Sequence, residues 1–363
     1  MLVILPLVAA LCLPALRLVF ARPRFLEPAE KGRPVSRISV IVPARDEQET
    51  IATLLRSLKS QNPAPTEIIV VDDGSSDLTA EISRELGAKV ISPPPLPDGW
   101  KGKPWACQHG ASVASGDHFL FLDADTVMEP RGFANLQGCA DPNSGAISIC
   151  PYHQVDRAYE QLSSFFNLTM VTGINAFGTK SGNPALFGQC LLISRSAYEA
   201  VGGHNSVAGR ILENFHLSKS LEKKGIPVAS FLGRGTIAMR MFPAGFTLLW
   251  TGWKKGFAHG AKGVSPRPLA LTSLWITGAM IITIAAIIAF FPMAGIPFRI
   301  LTAIVYVIYA LQCLRAFRLI GSFSPLTAIL FPIPLIFYQI LFFYSILDRK
   351  LGRKTKWKGR DVD

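Results

Sequence analysis

Asp123 and Asp125 stand one residue apart at the end of the apolar run His118-Phe119-Leu120-Phe121-Leu122. Residues two apart on a strand point to the same side, so both carboxylates can meet one divalent cation. A hard cation such as Mg2+ or Mn2+ is commonly held by one or two carboxylates together with the phosphates of its substrate. Asp-Ala-Asp at a strand end is therefore a candidate nucleoside-diphosphate site, with Asp123 and Asp125 as the metal ligands. A solvated turn has the same letters, so the weight of the triplet depends on its surroundings.

Two more polar clusters follow apolar runs. Ile68-Ile69-Val70-Val71 leads into Asp72-Asp73-Gly74-Ser75-Ser76-Asp77, and Ile38-Ser39-Val40-Ile41-Val42 leads into Pro43-Ala44-Arg45-Asp46-Glu47. Continuous β-branched runs of this kind predict parallel strands buried on both faces. Between them Ile51, Leu54, Leu55 and Leu58 recur with helical spacing, and Asp46 and Glu49 form a capping-box pattern before that helix. Asp77 is a plausible N-cap for a second helix through Thr79, Ile82 and Leu86, after which Lys89-Val90-Ile91-Ser92 returns as a strand. The expected fold class is α/β, an open, doubly wound and mostly parallel sheet. Ligands of such sheets bind at the carboxyl ends of the strands, where all three polar clusters fall.

The chain has 363 residues and a net charge of +12, which on its own suggests a nucleic-acid partner. The distribution argues against one. Residues 38–249 hold 17 Lys/Arg and 20 Asp/Glu, whereas the flanks 22–37, 250–268 and 348–363 carry +3, +4 and +4. The basic flanks adjoin apolar segments at 2–20, 271–291, 298–314 and 325–347, each near the roughly 20 residues that cross a bilayer. This is the pattern of the positive-inside rule, and it predicts a multi-pass protein of the cell membrane with residues 38–249 in the cytosol. The expected divisions are an N-terminal anchor (1–21), a catalytic domain (38–249), an interfacial amphipathic segment (250–268), membrane segments (271–347) and a basic tail (348–363). Pro332 and Pro334 split the last apolar segment, which is expected to be re-entrant or interfacial so that the tail stays inside. The six cysteines show no metal-knuckle or disulfide spacing.

The three clusters together resemble the successive motifs of the inverting family 2 glycosyltransferases. That resemblance implies a GT-A fold and a nucleoside-diphosphate sugar donor. It implies that Pro43, Arg45 and Glu47 border the uridine pocket, that Asp72 and Asp73 face the nucleoside, and that Asp123 lies near the ribose with Asp125 on the metal. Lys103, just before Pro104, and Arg240, after the apolar Ile237-Ala238-Met239, become candidates for the departing diphosphate, with an ordinary surface role as the alternative. Gly99-Trp100-Lys101-Gly102-Lys103, Pro151-Tyr152-His153, Gly202-Gly203-His204 and Trp357-Lys358-Gly359-Arg360 are similar to members that glycosylate a C30 carotenoid acid. UDP-glucose as donor and a membrane-dissolved lipid acceptor follow from that likeness.

One position departs from the wider family, many members of which carry Glu-Asp at the start of a helix with the Asp as base. Here Glu213 is followed by Asn214, and an amide cannot accept a proton at neutral pH. Either Glu213 or His216 serves, or no base is needed because the acceptor is a carboxylate, already ionised at pH 7 with a pKa of about 4 to 5. Glu213 could equally cap its helix. Two apolar stretches, Phe165 to Phe177 and Phe246 to Phe257, are expected to lie near the lipid; core packing explains the first equally well, and interfacial placement suits the second. Rival readings are a transferase acting on a polyprenyl phosphate or hopanoid-like lipid, a transporter or membrane scaffold with a degenerate nucleotide fold, and a sugar-nucleotide pyrophosphorylase.

Overall fold

The computed structural model describes residues 2–20, 22–27, 36–141, 145–177, 185–210, 213–260, 266–351, 356–357 and 360–361. The chain divides into two units, one of residues 24–152 and 184–241 and the other of residues 1–23, 153–183 and 242–363.

The first unit is built on a seven-stranded sheet. Its strands are β1 (Ile38–Ala44), β2 (Glu67–Asp72), β3 (Lys89–Ile91), β4 (His118–Leu122), β6 (Ala146–Cys150), β8 (Cys190–Ser194) and β9 (Val228–Leu232). They lie in the order β3-β2-β1-β4-β8-β6-β9. All neighbours pair in parallel except β8, which runs antiparallel to both β4 and β6. A short strand β5 (Thr126–Met128) pairs antiparallel with β10 (Ile237–Met239), and β7 (Tyr152–His153) closes the first stretch of the unit.

Alternation along these strands sends side chains to two separate cores. Val40, Val42, Leu120 and Leu122 meet Ile51, Leu54, Leu55 and Leu58 of α2 (Ile51–Lys59) and Phe133 and Leu136 of α5 (Gly132–Cys139). Ile41, Ile69, Val71, Phe119 and Phe121 meet Ala106, Cys107 and Ala111 of α4 (Gly102–Val113) and Leu217 and Leu221 of α8 (Glu213–Lys223). Burial on both faces is why the strands are unbroken apolar runs, each large side chain contributing about 1.5–3 kcal/mol. Helices α3 (Thr79–Glu85) and α7 (Arg195–Ala200) complete the layers. Helix α4 approaches the sheet closely at Gly110, where an added Cβ would stand 2.5 Å from Ile41 Cγ2 and 2.9 Å from Val71 Cγ2.

The capping box expected of Asp46 and Glu49 does not form. Asp46 takes a left-handed conformation, φ 52°, and its carboxylate accepts from Ser76 N (2.8 Å) and Ser76 Oγ (3.1 Å). Partners across the loop thus capture the side chain before the helix can, and Thr50 becomes the residue preceding α2, without a side-chain cap. Leu78, not Asp77, occupies the N-cap position of α3; Asp77 stands one residue before it and accepts from Thr79 N at 3.0 Å.

The second unit is helical. It contains α1 (Ile4–Val19), α6 (Ser164–Gly173), α9 (Phe246–Gly260), α10 (Pro266–Ala289), α11 (Ile296–Ile320), α12 (Pro325–Ile329) and α13 (Pro332–Lys350). Helices α10 and α11, of 24 and 25 residues with mean hydropathy 2.1 and 1.8, are long and apolar enough to cross a bilayer. The apolar segment 325–347 is interrupted, as its prolines predict: α12 ends at Ile329 and Pro332 opens α13, where its missing N–H costs nothing.

Helix α1 lies against α10 and α11. Tyr309 Oη donates to Ala9 O (2.9 Å) and Gln312 Nε2 to Leu13 O (3.2 Å), while Trp275 Nε1 donates to Gln312 Oε1 (2.7 Å). The Phe165–Phe177 stretch is core. Phe165 stacks on Trp275 at 5.9 Å between centroids, and Phe166 stacks on Trp253 at 4.8 Å.

The Phe246–Phe257 stretch divides its side chains. Leu249 and Trp253 are buried, and the Trp253 indole N–H donates to Ser163 Oγ (2.9 Å). Phe246 and Leu248 remain exposed, and Lys254 forms an ion pair with Asp348. The side chains of Lys255 and Phe257 lie outside the described residues, as do Lys358 and Gly359 of the tail motif.

Candidate active site

The carboxyl ends of β1, β2 and β4 lie side by side, because β1 pairs with both of the others in parallel. They carry the three polar clusters to one rim of the sheet. The loops after β1 and β2 are stitched together: Asp46 N donates to Ser75 Oγ (3.0 Å), Glu47 N to Thr79 Oγ1 (2.8 Å), and Gln48 N to Asp77 Oδ2 (3.1 Å). Asp72 turns inward on its own loop, accepting from Ser75 N at 3.1 Å, and Gly74 completes the turn at φ 72°. Asp73 faces Arg45, with Oδ2 3.9 Å from Nη1. Burial raises the Asp73 pKa, the Arg45 guanidinium opposes this, and the Asp72 carboxylate adds to it. Pro43 sits within β1 opposite Val71, and so shapes the floor of the rim.

After β4 the chain turns sharply, with Thr126 N (3.2 Å) and Thr126 Oγ1 (2.7 Å) both donating to Asp123 O. Asp123 N donates to Gln189 O (3.1 Å), which ties the turn to the approach of β8. The Asp123 carboxylate accepts from Lys103 Nζ at 2.5 Å, and the same ammonium donates to Gly188 O at 3.3 Å. Lys103 lies in the first turn of α4 and its side chain is 38% exposed, so the charge is within reach of a ligand. Burial presses its pKa down, but the carboxylates of Asp123 and Glu213 outweigh this and raise it, so the ammonium stays charged.

Asp125 has no such partner. Its Oδ1 is buried and meets no hydrogen-bond donor among the described residues. Burial first, then the carboxylates of Asp123 and Glu47, push its pKa up to about 7, against the opposing pull of Lys103. Strand β10 enters from the other side: Met239 pairs with Thr126, and Arg240 follows Met239 as Asp125 precedes Thr126 in this antiparallel register.

Glu213 opens α8, and its Oε1 accepts from Asn214 Nδ2 at 2.9 Å. Asn214 is buried and lies against Gly188, where an added Cβ would come within 2.4 Å of Nδ2. The segment 187–190 thereby links Lys103 and Asp123 to the Glu213–Asn214 pair. His216, one turn on, has its pKa lowered by burial and by Arg210 and Lys219, which favours the neutral ring and makes it a weaker base.

Residues 39–202 match the family described as Glycosyl transferase family 2. The chain is 40% identical over 258 residues to the 4,4'-diaponeurosporenoate glycosyltransferase of Staphylococcus haemolyticus (strain JCSC1435), covering 69% of this chain and 68% of that protein. It is 33% identical over 334 residues to the protein of the same name from Staphylococcus aureus (strain USA300), covering 89% and 87%. The chain belongs to glycosyl transferase family 2. It is a glycosyltransferase with a GT-A fold, and among solved structures it resembles a mannosyltransferase of Pyrobaculum calidifontis in complex with GDP-mannose and Mn2+. That likeness has a TM-score of 0.50 at 18% identity and covers 87% of this chain and 98% of the other.

The glycosyltransferase's rim suits a divalent cation on two counts. A buried carboxylate oxygen without a donor is the kind a hard cation satisfies, and crowding by Asp123 and Glu47 is relieved by positive charge. Among the described residues no group of three or more His, Cys, Asp or Glu side chains is placed to hold a metal alone. A cation held here by Asp123 and Asp125 leaves coordination positions open to water or to the oxygens of a diphosphate.

Sequence reasoning missed Gly188 and the buried set beneath α4. In that set Tyr198 Oη lies 2.8 Å from His204 Nδ1 and donates to Gln108 Oε1 (3.1 Å), which also accepts from Asn205 N (3.0 Å). His204 carried a signal in Gly202-Gly203-His204, but nothing in the spacing joined it to Gln108.

Proposed function

We propose that this glycosyltransferase moves a hexose, most naturally glucose from UDP-glucose, onto the carboxylate of a membrane-dissolved carotenoid acid. The relatives' shared name supports the acceptor class, and the rim geometry supports the donor. The observation that carries the donor half is the buried, donor-less oxygen of Asp125 beside Asp123, Glu47 and Lys103. In this reading Pro43, Arg45, Glu47 and Asp73 enclose the nucleoside, and Asp72 fixes the loop that presents Asp73. Asp123 and Asp125 hold Mg2+ or Mn2+, which supplies charge neutralisation to the departing diphosphate. Lys103 and Arg240 offer further positive charge to the same leaving group.

Glu213 and Asn214 complete the reading on the acceptor side. Asn214 cannot take a proton, and its amide engages one oxygen of Glu213. An acceptor that arrives ionised needs no proton removed, so a carboxylate can attack the anomeric carbon directly as the carbon–diphosphate bond breaks. Glu213 then orients the acceptor side of the site through its contact with Asn214. The helices α10 and α11 support a membrane association that would deliver a lipid-dissolved acid. With basic residues crowding the apolar segments, a cytosolic catalytic unit and a multi-pass membrane part follow from the positive-inside rule.

Expression in a host that makes a C30 carotenoid acid tests this reading. The expected result is a new pigment heavier by one hexosyl residue, with an ester linkage that mild base cleaves. A pigment profile unchanged by the active chain, together with transfer to a polyprenyl phosphate by the detergent-solubilised protein, would favour the rival acceptor.

A further inference from the structure

Lys103 places its ammonium 2.5 Å from Asp123 Oδ1, on a carboxylate that the donor reading gives to the metal. It also donates to Gly188 O, and it interacts with the carboxylates of Glu213 and Asp125. One cation of the chain thus already serves the acidic rim. A divalent ion held by Asp123 and Asp125 would have to share Asp123 with that ammonium and bear its repulsion at close range, inside a partly buried site where such repulsion is poorly screened.

From this geometry, and resting on the donor reading above, we infer that Lys103 is an internal counter-ion that competes with the divalent cation for Asp123. Metal and nucleotide consequently bind as a coupled pair. A diphosphate offers Lys103 an alternative anion. When it enters, the ammonium exchanges Asp123 for phosphate oxygens, and Asp123 becomes free for the metal the diphosphate brings. The metal alone is disfavoured and so is the diphosphate alone; each removes the other's obstacle. The partial exposure of Lys103 permits this exchange, and Gly188 O gives the ammonium a fixed neighbour during it. Such coupling is reciprocal: the factor by which UDP raises Mn2+ affinity is the factor by which Mn2+ raises UDP affinity.

The test uses the full chain in detergent and follows Mn2+ binding by the loss of the free-ion paramagnetic resonance signal, with and without UDP. Expected for the unaltered chain is weak Mn2+ binding that strengthens by about fivefold or more when UDP is present. Lys103→Met should bind Mn2+ alone several-fold more tightly and lose most of the enhancement by UDP. Lys103→Arg, which keeps the charge, should stay close to the unaltered chain in Mn2+ binding without UDP. Near-equal Mn2+ affinity of Lys103→Met and the unaltered chain, or weaker binding by a Lys103→Met protein of unchanged melting temperature, overturns the inference while leaving the donor reading intact. Absence of any UDP-linked Mn2+ binding by the unaltered chain instead removes the donor reading, and with it the inference.

Discussion

At the scale of single residues, the site depends on small distances around Asp125 and Gly188. Replacing Asp125 by Asn removes a charge from the rim but keeps its shape. Hexosyl transfer should fall by about a hundredfold or more, because several kcal/mol of charge stabilisation at the leaving group go with it. Initial-rate kinetics on the purified variant measure this; an undiminished rate would take Asp125 out of the mechanism. Gly188→Ala acts differently. Its methyl group would come within 2.4 Å of the Asn214 amide, so Asn214 must shift and its hydrogen bond to Glu213 is disturbed. A stability loss of about 1–3 kcal/mol is expected, with a transfer rate reduced beyond what that loss explains. Chemical denaturation and kinetics on the same preparation separate the two effects.

The acidic residues were legible in the sequence because parallel strands announce their own ends: Asp72 and Asp123 follow apolar runs directly, with Asp73 and Asp125 just beyond them. Lys103 was legible only as one of two alternatives, since a lysine before a helical proline carries no mark of the carboxylate it will meet. Gly188 left no mark at all. Its part is set by the tertiary approach of Asn214, and a glycine in a loop has many simpler reasons to be there.

Among the elements, α4 matters most, because it bears Lys103 at its start and Gln108 at its middle. Gly110 lets it settle against β1 and β2, so Gly110→Ala should push the helix outward. The expected cost is about 1–3 kcal/mol, with weaker nucleotide binding as Lys103 is carried away from the rim and the diphosphate it would meet there. Thermal melts and nucleotide titration of the variant check this. Beneath α4, burial and then the nearby Lys103 charge push His204 down to about 3, from an ordinary value of 6.5. Between those values the unfolded chain binds the additional proton, so the stability present above about pH 6.5 is lost as pH falls toward about 3. Melting temperatures should therefore drop between pH 7.5 and pH 5, and His204→Gln should show a shallower drop. Parallel slopes for both proteins would assign the acid limb to other groups.

The sheet and both of its cores were readable from periodicity, since β1, β2 and β4 are buried on two sides. The antiparallel entry of β8 was not. Cys190 to Ser194 is an apolar run like the others, and direction in a sheet is decided by connections that the run does not encode. The Asp46 capping box failed for a related reason: a short acidic side chain serves whichever backbone N–H comes closest, and a loop 30 residues away supplied it.

For the molecule as a whole, the uneven charge and the placement of apolar segments were the readable features, and the helices α10 and α11 stand where hydropathy put them. The attachment of α1 was not readable. Besides the packing of α1 on α10, it includes two hydrogen bonds to backbone carbonyls, Ala9 O and Leu13 O, from side chains 300 and 299 residues further along. At a synthesis rate of about 5–20 residues per second, those donors emerge on the order of 15 to 60 seconds after the helix they secure. Until α10 and α11 follow, α1, whose Ala9, Cys12, Leu16 and Val19 are buried in the finished unit, is without the helices it lies against. Assembly of this enzyme is therefore timed by its last third, and a nascent chain halted before Pro266 holds α1 without its keeper.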